Sequence, residues 1–374
     1  MGVTPGVEPF ALAGLSVPVV AVTATGRQAE ELADTLRDLG RTGQVFPAWE
    51  TLPHERLSPS ADTVGRRMAV IGDVVAADLP DVLVVPIRAL MQPIAADLAD
   101  ERPLVLSPGD EPGFDALIES LVRAGYERVP MVGRRGQFAV RGGLLDVFVP
   151  TDEHPTRVEF FGDEVEQLRT FAVSDQRTIA VRDVALQVPV CRELLLTPQV
   201  RQRARDLQDK YPHIADVLSD LAAGTPVEGM ESLAPVLAER MITLLDLLPS
   251  GTPMINIGPE RIQARAADLV RTSEEFLEAG WHNAAVGNSV PLDLSQAAYR
   301  SPEQLAAQAS AGGIPVSAIR TLGPVAAGLK PAPVYRGDVA ALAVDAKAAV
   351  ARGVPVVIAM GATGPAQRLS EQLG

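Results

Sequence analysis

The 374-residue sequence has one cysteine and, among its 33 basic residues, three lysines. The lone Cys191 closes no internal disulfide and builds no thiolate metal site, so it is expected as a small core side chain in a reducing, cytoplasmic setting. None of the lysines, Lys210, Lys330 and Lys347, follows a glycine. The Gly-Lys-Ser/Thr that reaches a nucleotide phosphate is therefore missing, and with it a Walker A motif. No apolar run approaches the roughly 20 residues needed to span a bilayer. The opening MGVTPGVEPFALAG lacks the basic region and long apolar core of a signal peptide. Positive charge is short as well: 47 acidic residues against 33 basic ones leave a net charge of −14. Such a field repels a phosphate backbone and argues against DNA as the main ligand. The four histidines, His54, His154, His213 and His282, show none of the paired spacing of a zinc site. A Gly-x-Ser-x-Gly elbow is missing too, so neither metal, cofactor nor an autonomous enzyme is expected here.

What is present is a chain that is 47% hydrophobic with a mean hydropathy of +0.14, enough to fill more than one core. Val17 to Thr25 (VPVVAVTAT) is an unbroken apolar run suited to a buried parallel strand. The following RQAEELADTLRDLG places Ala29, Leu32, Ala33, Leu36 and Leu39 at helical spacing. Val45 to Ala48 and Asp81 to Pro86 read as further strands, so the first domain is α/β. From about Pro103 a helix (FDALIESLVRAGY) leads into short alternating segments, the pattern of a small α+β insert. Beyond Val188 the chain turns helical. The strand-like PMINIG with the helix after it is then placed to return to the first sheet. Gly312 to Arg336 is rich in Gly, Pro and Ala and reads as a linker. VPVVIAMG, Val354 to Gly361, is expected to be a strand of a further α/β unit.

Two places imitate nucleotide chemistry. Thr23 to Gly26 (TATG) after the first strand allows a phosphate at a helix N-terminus, although an ordinary strand-to-helix turn is the simpler reading. Where an acid pair for Mg²⁺ belongs, the strand MINI runs instead into Gly258-Pro259-Glu260-Arg261, and Glu260 alone is a weak metal holder.

In Arg157-Val158-Glu159-Phe160-Phe161, alternation turns Val158 and Phe160 to one face and Arg157, Glu159 and Phe161 to the other. Arginine, glutamate and an aromatic side by side have the composition of an interface hot spot. A solvated strand with Phe161 covered by a neighbouring element fits the same pattern. Arg134 and Arg135 either extend the basic patch or lie in a solvated turn.

Three blocks are long and specific: WETLPHERLSPSADTVGRR (Trp49 to Arg67), RGGLLDVFVP (Arg141 to Pro150) and RVEFFGDEVE (Arg157 to Glu166). In them the chain resembles the transcription-repair coupling factors and, more distantly, the excision-nuclease subunit UvrB. The resemblance implies an α/β fold in which a degenerate helicase-like (RecA-like, P-loop-derived) domain carries inserts. That domain would be discontinuous, over 1–102 and 240–320. A UvrA-binding α+β domain would occupy 103–188 and a helical insert 189–239. A linker over 321–337 and the start of a further α/β unit over 338–374 would follow.

The resemblance also implies that the segment recruits UvrA through positions matching Arg141, Arg157, Glu159 and Phe161, with no catalytic or metal residue. ATP, Mg²⁺, duplex DNA and RNA polymerase would be handled by other parts of a longer translocase. A UvrB-like subunit binding damaged DNA is the alternative, and it is disfavoured by the lost ATPase motifs. In the Trp49 to Arg67 block, Arg66 and Arg67 either meet nucleic acid or the loop packs on a neighbouring domain through Trp49 and Leu52.

Overall fold

Val20 and Val22 face one hydrophobic core and Val19 and Ala21 another, which is why the first apolar run has no polar alternation. The computed structural model describes residues 2–3, 6–52, 57–286, 299–321, 333–354, 356–358, 360 and 362–373, in two units, Met1–Thr321 and Leu322–Gly374. The first unit begins β1 (Gly2–Val3), α1 (Glu8–Ala13), β2 (Val19–Thr23), α2 (Gly26–Asp38), β3 (Gly43–Val45), α3 (Ala61–Val75), β4 (Val82–Pro86), α4 (Ile87–Met91) and β5 (Ile94–Ala95). The insert follows as β6 (Leu104–Leu106), α5 (Phe114–Arg123), β7 (Glu127–Arg128), β8 (Gln137–Arg141), β9 (Leu144–Phe148), β10 (Thr156–Phe161), β11 (Glu164–Phe171), β12 (Thr178–Val181) and β13 (Leu186–Val188). Next come α6 (Pro198–Leu207), α7 (Ala215–Ala223) and α8 (Ala234–Leu237). The unit closes with β14 (Met241–Ile242), β15 (Met254–Ile257), α9 (Pro259–Val286), α10 (Pro302–Ala311) and β16 (Val316–Thr321).

The main sheet runs β1-β16-β15-β2-β4-β3 with every neighbouring pair parallel. Its α2 buries Ala29, Leu32, Ala33 and Leu36 against one face, and α3 buries Val64, Met68, Ile71 and Val74 against the other. Sequence order reverses at β2, which lies between β4 and β15, so the PMINIG strand returns to the centre of this sheet. β16 corrects the linker expected over Gly312 to Arg336. Its first part is an element of the parallel sheet, with Met254 opposite Val316 and Ile257 opposite Ile319. That expectation failed because small residues and a short strand hide an edge that β1 and β15 complete. Of the rest of the linker, 322–332 lies outside the described residues, as do His54 and the side chain of His282, and 333–336 form neither helix nor strand.

The insert is a second sheet, β12-β11-β10-β9-β8-β7, antiparallel except for β7 beside β8. One face packs Phe138, Leu145, Val147, Val158 and Leu168 against Leu117 and Leu121 of α5. β6 and β13 pair where the chain enters and leaves, with Leu104 opposite Val188. The free Cys191 is buried at that exit, and burial pushes its thiol up to about 12. The helical segment is stapled by arginine: Arg201 and Arg205 of α6 both donate to the Ala222 carbonyl at the end of α7.

The second unit holds α11 (Val339–Ala351), capped by Asp338 on the Ala341 amide at 3.0 Å, and α12 (Thr363–Leu373). The strand expected over Val354 to Gly361 is absent among the described residues. An apolar run becomes a strand only beside a partner strand, and the described residues of this unit supply none.

Candidate protein-interaction face

The face of the insert's sheet turned away from α5 is built by strand register. β8, β9, β10 and β11 are successive neighbours, and the pairings place Ala139, Asp146, Arg157 and Arg169 in one cross-strand row. The next row holds Arg141, Leu144, Glu159 and Gln167. Arg157 thus stands directly opposite Asp146, and Arg141 lies diagonally from it, within reach of a long side chain.

Asp146 organises this face. It is 2% exposed, and its carboxylate accepts both Arg157 Nε at 2.7 Å and Arg157 Nη2 at 2.8 Å. Arg141 Nη2 also donates to Oδ2 at 3.2 Å. The hydrogen bonds that Arg157 donates to Asp146 push its guanidinium above its ordinary pKa, locking in the charge. The same guanidinium lies 4.7 Å from the Phe171 ring centroid. Arg157 is accordingly 17% exposed, whereas Arg141 is 49% exposed. Arg157 therefore has structural weight as well as a place on the open face: it compensates a buried charge. Glu159, half-buried, pairs with Arg169 at 3.3 Å.

The rim of the face is made by two hairpin tips. β8 and β9 join through Gly142 and Gly143, and β10 and β11 through Gly162 and Asp163, with Gly142 and Gly162 at positive φ. The Phe160 amide donates to the Gly143 carbonyl at 2.9 Å, tying the tips together. A bulge shifts the register between Glu159 and Phe160, which sharpens the local twist. Val158 is buried, and Phe160 packs edge-on to Phe114 with ring centroids 5.0 Å apart. Phe161 is 78% exposed. Alternation left an exposed Phe161 and one covered by a neighbouring element equally open; the aromatic stands in water at a tip, and no covering element is present among the described residues.

Sequence reasoning missed Asp146, Leu144 and Arg169. Alternation in LLDVF does put Leu144, Asp146 and Phe148 on one face, and an acid in the middle of an apolar strand was the available signal. Arg134 and Arg135 do not join the patch. Arg134 pairs with Glu127 at 3.1 Å, and Arg135 reaches Asp62 of α3 at 3.0 Å, bracing the insert on the parallel layer.

The specific blocks meet in space. Gly65 of α3 abuts Pro150: a Cβ built at Gly65 would lie 2.1 Å from the Pro150 Cβ. Trp49 is buried, as the packing reading expected, and Leu52 is half-buried. Arg66 pairs with Glu30 at 2.7 Å, and Arg67 is wholly buried against Glu193. A side chain with no exposed surface reads no DNA.

At the switch point of the parallel sheet, Thr25 caps α2 by accepting the Gln28 amide at 3.3 Å. The Thr23 to Gly26 turn opens onto a cleft of about 950 Å³ lined by Thr25, Arg27, Gln28, Arg261 and Arg265. Two of its arginines are already partnered, Arg27 with Glu31 and Arg265 with Asp268, each at 3.3 Å. Glu260 pairs with Arg320 at 2.9 Å. Among the described residues no cluster of three or more His, Cys, Asp or Glu is placed to hold a metal, and no helix is long and apolar enough to cross a membrane.

The model of the UvrB interaction domain matches residues 104–189, the insert that carries the face. The chain is 42% identical, over 95% of its length, to the transcription-repair-coupling factor of Mycobacterium tuberculosis and covers 31% of that relative. It is 36% identical over 68% of its length to the factor from Myxococcus xanthus and 30% identical over 77% to that of Escherichia coli, covering 23% and 25% of them. The chain thus spans at most about a third of the length of these curated relatives. Over that span it belongs to the transcription-repair-coupling factor family, with residues 104–189 as its UvrB interaction domain.

Proposed function

We propose that this chain recruits UvrA in transcription-coupled nucleotide excision repair, and that UvrA binds the open face of β8 to β11. The observation that carries the reading is Phe161, a 78% exposed aromatic on a hairpin rim that also carries Arg141, within the matched insert. Aromatic and arginine anchors dominate interface energies. Arg141, Arg157, Glu159 and Phe161, the positions to which the family resemblance points, share this face.

The parallel layer is, in this reading, a degenerate helicase-like, RecA-like domain that serves as scaffold. Its switch-point cleft lies where α/β sheets bind nucleotides, yet the loop there carries no Gly-Lys-Thr. ATP and Mg²⁺, duplex DNA and RNA polymerase belong to other parts of the longer family proteins, which act in the cytoplasm as ATP-dependent translocases.

The test is titration of purified UvrA with the wild-type chain and with Phe161→Ala and Arg141→Ala, with melting curves run in parallel. Phe161→Ala is expected to weaken binding by about 2 kcal/mol or more at an unchanged melting temperature. Equal binding by wild type and Phe161→Ala overturns the reading.

A further inference from the structure

We infer that Asp146 is the positioning residue of this face, acting through Arg157 and Arg141, and that it presents them to a carboxylate of the partner. The inference rests on the UvrA-binding reading above and adds a residue and a chemistry to it.

A buried carboxylate is costly unless paired, and Asp146 is 2% exposed on a face where its strand neighbours in the same orientation are Leu144 and Phe148. An apolar residue there would pack beside the small cluster of Ala139, Phe148 and Phe171. The acid does something that residue would not. Its two oxygens take the Nε and Nη2 edge of Arg157 in a fork, so Nη1 remains on the opposite edge for a second acceptor. The Phe171 ring restricts the guanidinium from one side. A free surface arginine has rotamer entropy to lose on binding; here much of it is lost before the partner arrives.

Charge identifies the group the array awaits. Among the ion-paired side chains, Asp146 and Glu159 contribute two negative charges and Arg141, Arg157 and Arg169 three positive ones, so that cluster keeps one surplus positive charge beside the apolar Leu144, with Glu164 opposite Phe161 at the rim. A planar acceptor that takes two parallel N–H groups, next to an apolar pocket for Phe161, completes the match.

The experiment titrates UvrA with wild type, Asp146→Asn, Arg157→Ala and the double variant, with Phe161→Ala as control. Asp146→Asn is expected to weaken binding at least tenfold. The double variant should bind within about twofold of Arg157→Ala, because coupled residues do not add. In arginine-detected nuclear magnetic resonance, the Arg157 Nε–H should give a slowly exchanging signal in wild type that is lost in folded Asp146→Asn. Should Asp146→Asn fail to fold, Asp146→Glu keeps the charge but displaces the fork, and the same tenfold loss is expected. Binding equal to wild type in the Asp146 variant, additive losses, or an unchanged Arg157 signal overturns the inference while leaving the UvrA reading intact. Equal binding by Phe161→Ala and wild type overturns both.

Discussion

Arg67 and Glu193 form a fully buried ion pair, 0% and 1% exposed, joining α3 to the segment that leaves the insert. Arg67 Nε donates to Oε1 and Nη2 to Oε2 at 3.2 Å, while Nη1 donates to the Pro47 carbonyl at 2.8 Å and the Phe46 ring centroid lies 4.2 Å away. Breaking such a pair from one side leaves a buried charge with no water and no counter-ion. Arg67→Ala or Glu193→Ala is therefore expected to lower the unfolding free energy by about 3–5 kcal/mol, and Arg67→Met with Glu193→Leu to recover much of it. Urea midpoints measure this, and a loss under 1 kcal/mol in both single variants would contradict it.

Two glycines of α3 should respond with opposite sign. A Cβ at Gly72 meets nothing within 4 Å, so Gly72→Ala is expected to stabilise by about 0.5–1 kcal/mol through helix propensity. A Cβ at Gly65 collides with the Pro150 ring, whose atoms cannot swing aside, and Gly65→Ala should cost about 1–3 kcal/mol. Melting temperatures that move the same way in both variants would disprove the close approach of α3 to the insert.

Burial pushes the Glu231 carboxyl above its ordinary value, against the opposing pull of Arg192 at 3.1 Å and Ser58 at 2.6 Å. With the folded pKa raised, the folded state holds a proton that the unfolded state has already released. Its contribution therefore favours folding at low pH and declines as pH rises from about 4.5 through the folded pKa. Glu231→Gln removes that titration. The difference in unfolding free energy between wild type and variant is expected to slope with pH in that window and flatten above it; a flat difference throughout refutes the assignment.

ATP with Mg²⁺ should leave the melting temperature unchanged, since a ligand at 100 times its dissociation constant would stabilise by about 2.7 kcal/mol. A reproducible rise, lost on altering the Thr23 to Gly26 turn, would restore a nucleotide site to the switch-point cleft.

Much of the architecture was legible because burial on both faces leaves a mark on single strands. The apolar runs of β2 and β4 and the helical spacing in α2 are local signals of that kind. The linker expected over Gly312 to Arg336 gave way to β16, and the described residues of the strand expected over Val354 to Gly361, of which 355, 359 and 361 lie outside the description, form no strand, since a strand is a property of its neighbours. VSAIRT has β1 and β15 beside it, and VPVVIAMG has no strand beside it among the described residues.

The sequence by itself determined which side chains of β10 share a face, since alternation is a rule of one strand, and so Arg157, Glu159 and Phe161 were legible as a group. It determined as well the absence of a Gly-Lys-Ser/Thr, which needs only adjacent residues. Only the tertiary structure decided that Asp146 lies under Arg157 and Arg141, that Arg67 faces Glu193 across 126 positions, and that Gly65 leaves room for Pro150. The energy of a charge depends on the dielectric and the partner around it. Both are set by register and packing between segments far apart in the chain, where no local pattern reaches.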